Sequence, residues 1–202
     1  MSLQKKLVFS TIFIMVLLCF SFVAVRPTSL TIAYREHVKH EKIVKQIINH
    51  VKNENESLGE SDLKTIAEIV YNESSKKKVD YRLVLAIMKI ESNFRQDAVS
   101  RKGARGLLQV KPSHAKYIAQ DIGVDWVGDA TLHEPENNIK IGVHFFSQLI
   151  DDFENINMAL HAYHVGPTKL RAIVTDKKKP QKRFLNLVLD EYDRNRSVLP
   201  PP

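Results

Sequence analysis

A carboxylic acid lies where an amphipathic helix should bury an apolar residue. Glu91 follows Val84, Ile87 and Met88 at spacings of seven, four and three residues, so one helical face carries all four side chains. Burial disfavours a charged carboxylate and raises its pKa, which gives a proton donor that works near neutral pH. The spacing therefore indicates a general acid at Glu91. A glutamate at the exposed end of the helix, or one paired with a lysine, would fit the same spacing.

Small and polar residues follow Glu91 at close intervals. Gly103 and Gly106 permit tight turns and let a ligand approach the backbone closely. The whole array consists of Ser92, Phe94, Ala98, Ser100, Gly103, Ala104, Gly106, Leu107, Gln109, Val110 and Pro112. It predicts a loop that brings a bound molecule next to the acid.

The elements that must position these residues are helices. Ser61 and Asp80 are suitable caps for two of them, and Pro112 and Pro135 suit the first turns of two more. Helices are expected at 61–75 and 80–93, from 112 and 135 onward, at 157–163 before Gly166-Pro167, and at 184–194. No alternating strand pattern and no internal repeat occurs. The fold is therefore predicted to be all-α or nearly so.

The N-terminal segment has the composition of a membrane anchor or an export signal. After Lys5 and Lys6 come 19 uncharged residues, 7–25. A helix that spans a bilayer needs about 20 apolar residues, whereas the core of a removable signal has about 7–15. Length, and the bulky Phe22 near the best cleavage position, favour retention. We expect residues 1–26 to be a signal anchor in the inner membrane, with a cleaved signal peptide as the alternative, and the rest to lie outside it in the cell envelope.

Three further regions follow the N-terminal segment. Apolar residues recur at helical spacing between Val44 and Val51 amid charged residues, so residues 27–60 are expected to form a helical stalk or linker. The compact domain is predicted over 61–195. A Pro-rich tail is predicted over 196–202.

Charge and composition exclude several classes of protein. The net charge of +7, with lysine runs at 76–78 and 177–179, would suit nucleic acid, anionic lipid or an acidic polymer, and the two runs would equally fit solvated loops. Export argues against nucleic acid, and no nucleic-acid-binding motif occurs. Cys19 is the single cysteine and lies in the apolar run, so no internal disulfide is expected. The eight histidines form no metal-ligand pattern, and no metal site is expected.

The array after Glu91 resembles the catalytic domain of the soluble lytic transglycosylases. The family pattern is Glu-Ser, then Ala and Ser, then Gly-Ala-x-Gly-Leu-x-Gln-x-x-Pro, and the chain has it with matching gaps up to Pro112. Residues that resemble the second and third family blocks are Pro135, Asn138, Ile139 and Gly142, and Ala159, Leu160, Ala162, Tyr163 and Gly166. The resemblance covers residues 81–171.

This resemblance implies a lysozyme-like domain that cleaves the MurNAc-GlcNAc β-1,4 bond of peptidoglycan. Glu91 would be the sole general acid and base, and the product would carry a 1,6-anhydromuramoyl end. Ser100, Gln109, Tyr163 and His164 would bind the substrate, with Tyr163 beside the acid. No cofactor would be required.

Three residues differ from the commoner family residues: Leu108 stands in place of Met, Phe145 in place of Tyr, and His164 in place of Asn. They change contacts along the cleft and leave the acid in place. Two other functions fit the same residues. One is a hydrolase of the goose-type lysozyme kind, which delivers water to the bond, and the other is a module that binds peptidoglycan without cutting it.

Overall fold

The structure of the protein is a computed structural model that describes residues 29–178 and 180–202. Those residues form α-helices and one short 3-10 helix, and they contain no β-strand. The helices are α1 (Ser29–Glu54), α2 (Glu60–Lys77), α3 (Tyr81–Ser92), α4 (Pro112–Asp121), the 3-10 helix (Asp129–His133), α5 (Pro135–Phe153), α6 (Ile156–Val165), α7 (Pro167–Thr175) and α8 (Arg183–Val198). The all-α prediction is confirmed for the described part of the chain.

Residues Glu41–Pro202 form one compact unit. The boundary predicted near Ser61 lies inside this unit, because apolar side chains of α1 belong to the same buried core as those of the later helices. The buried residues of α1 are Ile43, Val44, Ile47 and Val51. The end of the segment predicted as a stalk is therefore a structural part of the domain.

Described residues before this unit, from Ser29 to His40, form the first part of α1. The predicted signal anchor, residues 1–26, lies outside the described residues. Within the described ranges, the chain has no helix that is both long and apolar enough to cross a membrane.

The helix that carries Glu91, α3, is largely buried in the compact unit. α3 packs against α2 and α8, α2 also packs against α5, and α5 packs against α6. The buried residues of α3 are Tyr81, Leu83, Val84, Leu85, Ala86, Ile87, Met88 and Ser92. A helix that is apolar on most of its surface lies in the protein interior, so the neighbouring helices fix the position of α3.

Local signals in the sequence set several helix starts. Asp80 caps α3 as predicted, and its carboxylate accepts a hydrogen bond from the backbone N–H of Arg82 at 2.9 Å. Pro112 and Pro135 open α4 and α5, also as predicted. The prediction of Ser61 as a cap is wrong.

Gly59 precedes α2 in an extended conformation and takes the cap position instead. Ser61 therefore lies in the first turn, together with Glu60 and Asp62. Acidic residues in a first turn interact favourably with the positive end of the helix dipole, which stabilises the earlier start.

The C-terminal part of the chain contains more helix than the sequence indicates. Gly166 ends α6 with φ 93°, and Pro167 immediately begins α7, which was not predicted. α8 continues to Val198 and is followed by the buried Leu199. The Tyr81 hydroxyl donates a hydrogen bond to the carbonyl oxygen of Pro200 at 2.6 Å. Much of the predicted tail thus belongs to the folded unit.

Candidate active site

A cavity of about 400 Å³ opens beside Glu91. Its walls come from the loop between α3 and α4 and from the helices α4 to α7. The structure brings all five predicted site residues to this cavity, namely Glu91, Ser100, Gln109, Tyr163 and His164. Their roles toward a substrate remain predictions.

Glu91 lies in the last turn of α3 and is partly buried. Val84, Ile87 and Met88, which precede it on the same face, are at most 1% exposed. Burial raises the pKa of the Glu91 carboxyl from 4.5 to about 7. The group can therefore exist as an acid or as a carboxylate near neutral pH, as the helical spacing indicates.

A tight turn follows the helix that carries the acid. Asn93 and Phe94 both adopt left-handed backbone conformations, with φ 52° and 58°. This conformation is unfavourable for a phenylalanine, but the Phe94 side chain is fully buried and Asn55 donates a hydrogen bond to its carbonyl oxygen at 3.2 Å. The Ser92 hydroxyl then donates to the carbonyl oxygen of Leu107 at 2.8 Å. These contacts bring the loop back to the end of α3.

Asn138 on α5 holds the far end of this loop. Its side-chain oxygen accepts a hydrogen bond from the N–H of Leu108 at 2.8 Å. Its amide nitrogen donates to the carbonyl oxygens of Arg105 at 2.9 Å and Leu132 at 2.8 Å. Gly106 packs directly against this amide with φ +72°, and a Cβ atom there would overlap with Asn138 and with the Leu132 carbonyl. The loop conformation therefore requires a glycine at this position.

Ser100 and Gln109 line the cavity and also support the loop. The Ser100 hydroxyl accepts a hydrogen bond from the N–H of Ala104 at 3.0 Å. The Gln109 amide donates to the carbonyl oxygens of Ala98 at 3.0 Å and Gly106 at 2.9 Å. Both side chains shape the cavity wall, and their contact with a substrate stays a prediction.

Tyr163 forms its side-chain hydrogen bond with the loop between α3 and α4. Its hydroxyl donates a hydrogen bond to the carbonyl oxygen of Leu108 at 2.7 Å. The ring packs beside Phe145, with centroids 5.5 Å apart, and meets Phe146 edge-on. Burial raises the pKa of Tyr163 well above 10, and the charge of Glu91 adds a smaller effect in the same direction. The hydroxyl is therefore a neutral donor that fixes the cavity wall near the acid.

His164 contacts the last helix of the unit. Its ring stacks on Phe184 of α8, with centroids 4.3 Å apart and planes 12° apart. Burial lowers the pKa of His164, and the charges of Lys102 and His161 add smaller effects in the same direction. The imidazole is therefore neutral at neutral pH. It borders both the main cavity and a smaller one of about 230 Å³.

Several cavity residues were not predicted from the sequence. His114 on α4 stacks on Phe145, with centroids 5.4 Å apart and planes 17° apart. The other unpredicted polar residues at the cavity are Arg101, Lys102, Lys111 and Lys169. Lys111 and His114 lie just before and just after Pro112, the last residue of the array that resembles the family. Their position next to this array could have indicated that they line the site. Lys169 lies on α7, the helix that was missed.

The cavity offers the chemistry of a single carboxyl group. Among the described residues that line it, Glu91 is the one with a carboxylic side chain. No group of three or more His, Cys, Asp or Glu side chains in the described ranges is placed to hold a metal ion. The arrangement can donate one proton and take one back.

The sequence model of the transglycosylase SLT domain matches residues 68–186, more than half of the chain. The chain belongs to the transglycosylase SLT domain family.

Two relatives differ in how much of their length the chain spans. The soluble lytic murein transglycosylase of Salmonella typhimurium is 32% identical over 97 residues, which are 47% of this chain and 15% of that protein. The membrane-bound lytic murein transglycosylase E of Buchnera aphidicola is 27% identical over 176 residues, which are 77% of this chain and 83% of that protein. The similarity to the second relative extends over most of both chains.

Solved structures show the same fold. An inactive mutant of the lytic transglycosylase Slt from Pseudomonas aeruginosa superposes with a TM-score of 0.50 at 27% identity, over 64% of this chain and 21% of that one. The 70 kDa soluble lytic transglycosylase of Escherichia coli gives a TM-score of 0.52 at 18% identity, over 86% of this chain and 30% of that one. The predicted lysozyme-like lytic transglycosylase fold is confirmed.

Proposed function

We propose that the protein is a peptidoglycan lytic transglycosylase that cleaves the β-1,4 bond between N-acetylmuramic acid and N-acetylglucosamine. The observation that carries this proposal is the Glu91 carboxyl, which burial brings to a pKa of about 7 at the wall of a cavity. Membership of the SLT domain family supports it, as do the names of the lytic murein transglycosylases that the chain resembles.

Glu91 performs both proton transfers of the reaction. As an acid it protonates the oxygen that links the two sugars, and the bond from that oxygen to C1 of the muramoyl sugar breaks. As a carboxylate it then takes the proton from the muramoyl 6-hydroxyl while that oxygen forms a bond to C1. The product is a 1,6-anhydromuramoyl end, and Glu91 regains its proton. No water, metal or cofactor takes part.

The remaining site residues position the sugars. Ser100 and Gln109 form hydrogen bonds to the substrate from the loop that they also stabilise. Tyr163 acts through the Leu108 carbonyl and keeps the wall beside Glu91 in place. His164 presents a neutral ring at the edge of the cavity.

A hydrolase with the same acid is the nearest alternative. Most hydrolases of glycosidic bonds use two carboxylates about 5–9.5 Å apart. Glu91 has no second carboxylic side chain beside it among the described cavity residues, and this favours the transglycosylase reaction.

Mass analysis of the muropeptides released from purified sacculi by the full-length protein tests the proposal. We expect products with anhydromuramoyl ends, which are lighter by one water than the products of hydrolysis. Glu91→Gln keeps the shape of the side chain but cannot supply the proton, so it should abolish release while binding persists. Asp97→Asn is the matched control, because Asp97 is an exposed loop carboxylate that does not line the cavity.

Three outcomes would contradict the proposal or its single-acid assignment. Products that have gained a water would identify a hydrolase. Binding of sacculi without any release would identify a non-catalytic module, and activity in Glu91→Gln above a few per cent would remove the single-acid assignment.

We further propose that residues 7–25 anchor the protein in the inner membrane and that the catalytic region, which includes 61–195, lies outside it in the envelope. The uncharged run supports an anchor, and the Buchnera relative is named as membrane-bound. Cell fractionation with N-terminal sequencing tests this. A released form that begins between Ser21 and Thr28 would show that the segment is a cleaved signal.

A further inference from the structure

Four cationic side chains line the cavity beside Glu91. Arg101, Lys102 and Lys111 come from the loop before α4, and Lys169 comes from α7. All four residues are exposed. None of the carboxylates in the described ranges forms an ion pair with them. The cavity therefore carries a positive rim.

Two other cations of the same region are paired. Arg105, in the same loop but outside the cavity lining, pairs with Asp129 at 2.8 Å. Lys140 on α5 pairs with Glu136 at 2.5 Å. Four like charges around one cavity repel one another, and a bound anion would relieve that repulsion. The rim is thus electrostatically suited to an anionic ligand.

The cations of the rim do not set the pKa of Glu91. A cation in contact with a carboxyl lowers its pKa, whereas the pKa of Glu91 is raised, with burial as the cause. Instead, Lys102 adds to the effect of burial in lowering the pKa of His164, and Lys111 does the same for His114. Because all four cations are exposed, they lie on the solvent side of the cavity, where a substrate would extend beyond the reacting bond.

The proposed substrate has anionic groups at the matching place. Its N-acetylated sugars are neutral, and neutral hydrogen-bond partners are sufficient to bind them. The stem peptides, attached to the lactyl group of each muramoyl sugar, carry carboxylates beside the bond that is cut. We propose that Arg101, Lys102, Lys111 and Lys169 bind these carboxylates and make the protein selective for glycan that bears acidic stem peptides. This inference rests on the proposed function.

The test compares the wild type, a rim variant and a control variant on two substrates. The rim variant is Lys102→Gln, Lys111→Gln and Lys169→Gln combined. The matched control removes the same charge from exposed lysines that line none of the described cavities: Lys45, Lys64 and Lys116, each changed to Gln. The substrates are one preparation of glycan strands with free stem carboxylates and the same preparation with those carboxylates converted to amides.

Amidation should lower kcat/KM of the wild type by roughly 3- to 100-fold, the range for about three exposed charge pairs. The rim variant should lose a similar factor on the free-acid substrate and should distinguish the two substrates much less than the wild type, because only Arg101 of the rim remains. The control variant should behave like the wild type. Raised salt should weaken the preference of the wild type, because exposed charges are screened.

Two results would overturn the inference. One is equal cleavage of both substrates by the wild type, and the other is an unchanged preference in the rim variant. If the protein cleaves neither substrate, the proposed function fails, and the charge preference is then decided by binding. Glu91→Gln with an intact rim should bind the free-acid strands more tightly than the amidated ones, and equal binding would reject the rim as a carboxylate site.

Discussion

The Glu91 carboxyl must carry its proton before it can protonate the leaving oxygen. Burial raises its pKa from 4.5 to about 7, so the protonated form predominates below pH 7 and declines above it. We expect kcat/KM to be nearly constant below about pH 6 and to fall about tenfold per pH unit well above 7. A pH–rate profile on soluble glycan strands measures this. Activity that stays constant up to pH 9 would mean that another group supplies the proton.

Tyr163 is expected to act on the cavity through the backbone. Tyr163→Phe leaves the carbonyl oxygen of Leu108 without its donor and should lower the free energy of unfolding by about 0.5–1.5 kcal/mol. Because the wall beside Glu91 loosens, turnover should also fall roughly 2- to 10-fold. Urea unfolding and steady-state kinetics measure the two effects.

Tyr192→Phe is the matched control for Tyr163→Phe. The Tyr192 hydroxyl donates to the carboxylate of Asp80 at 2.8 Å, away from the cavity. This variant should lose stability with turnover unchanged. Equal effects of both variants on turnover would show that Tyr163 has no particular role at the site.

The loop between α3 and α4 depends on the close contact of Gly106 with Asn138. Gly106→Ala adds a Cβ atom that overlaps with the Asn138 amide and the Leu132 carbonyl, at φ +72°. Since those groups hold the loop, we expect a loss of about 3 kcal/mol or more and a displaced cavity wall. Gly103→Ala is the control, because Gly103 has φ +76° but open space around it, and strain alone should cost it about 1–2 kcal/mol. Denaturant titrations measure the free energy of unfolding of both variants. Similar losses in Gly106→Ala and Gly103→Ala would contradict the role of the contact between Gly106 and Asn138.

Helix starts were predictable where a single residue type determines them. Asp80 supplies a side-chain acceptor for the first turn of α3, and proline fits the first turns of α4 and α5. α7 was missed because Gly166-Pro167 is both a good helix end and a good helix start. Local signals do not decide between those two outcomes.

The acid was predictable and the rim was not. Glu91 shares a helical face with core residues, and that periodicity is visible in the sequence. Which of many lysines converge on one cavity depends on how distant helices pack, as with Lys111 and Lys169. The burial of the end of α1 was not predictable for a similar reason, since the spacing of Val44 and Val51 is the same in an exposed stalk and in a helix buried against the core.

The complete folded unit extends beyond residues 61–195. A fragment with those limits lacks the buried Ile43, Val44, Ile47, Val51 and Leu199. Each buried side chain of this size contributes about 1.5–3 kcal/mol, and the sum is comparable with the whole free energy of unfolding of a domain, about 5–15 kcal/mol. We expect residues 41–202 to unfold cooperatively and residues 61–195 to be largely unfolded at 25 °C. Circular dichroism during heating distinguishes them, and equal midpoints would show that the flanking segments are dispensable.

The attachment of α8 to α3 has a consequence for hydrogen exchange. The Tyr81 hydroxyl bonds to Pro200, and the Asn195 amide donates to the carbonyl oxygen of Arg82 at 2.9 Å, so α3 cannot open unless α8 detaches. α7, by contrast, has a single buried residue, Leu170. Backbone amides of α3 should exchange with deuterium only through global unfolding, whereas those of α7 should exchange through local opening and orders of magnitude faster. Mass spectrometry of peptides from the exchanged protein measures this contrast, and comparable protection of α3 and α7 would refute it. If α7 exchanges faster than α3, the helix that carries the acid is the stationary wall of the cavity. The wall that carries Lys169 is then the one that moves when a glycan strand enters or leaves.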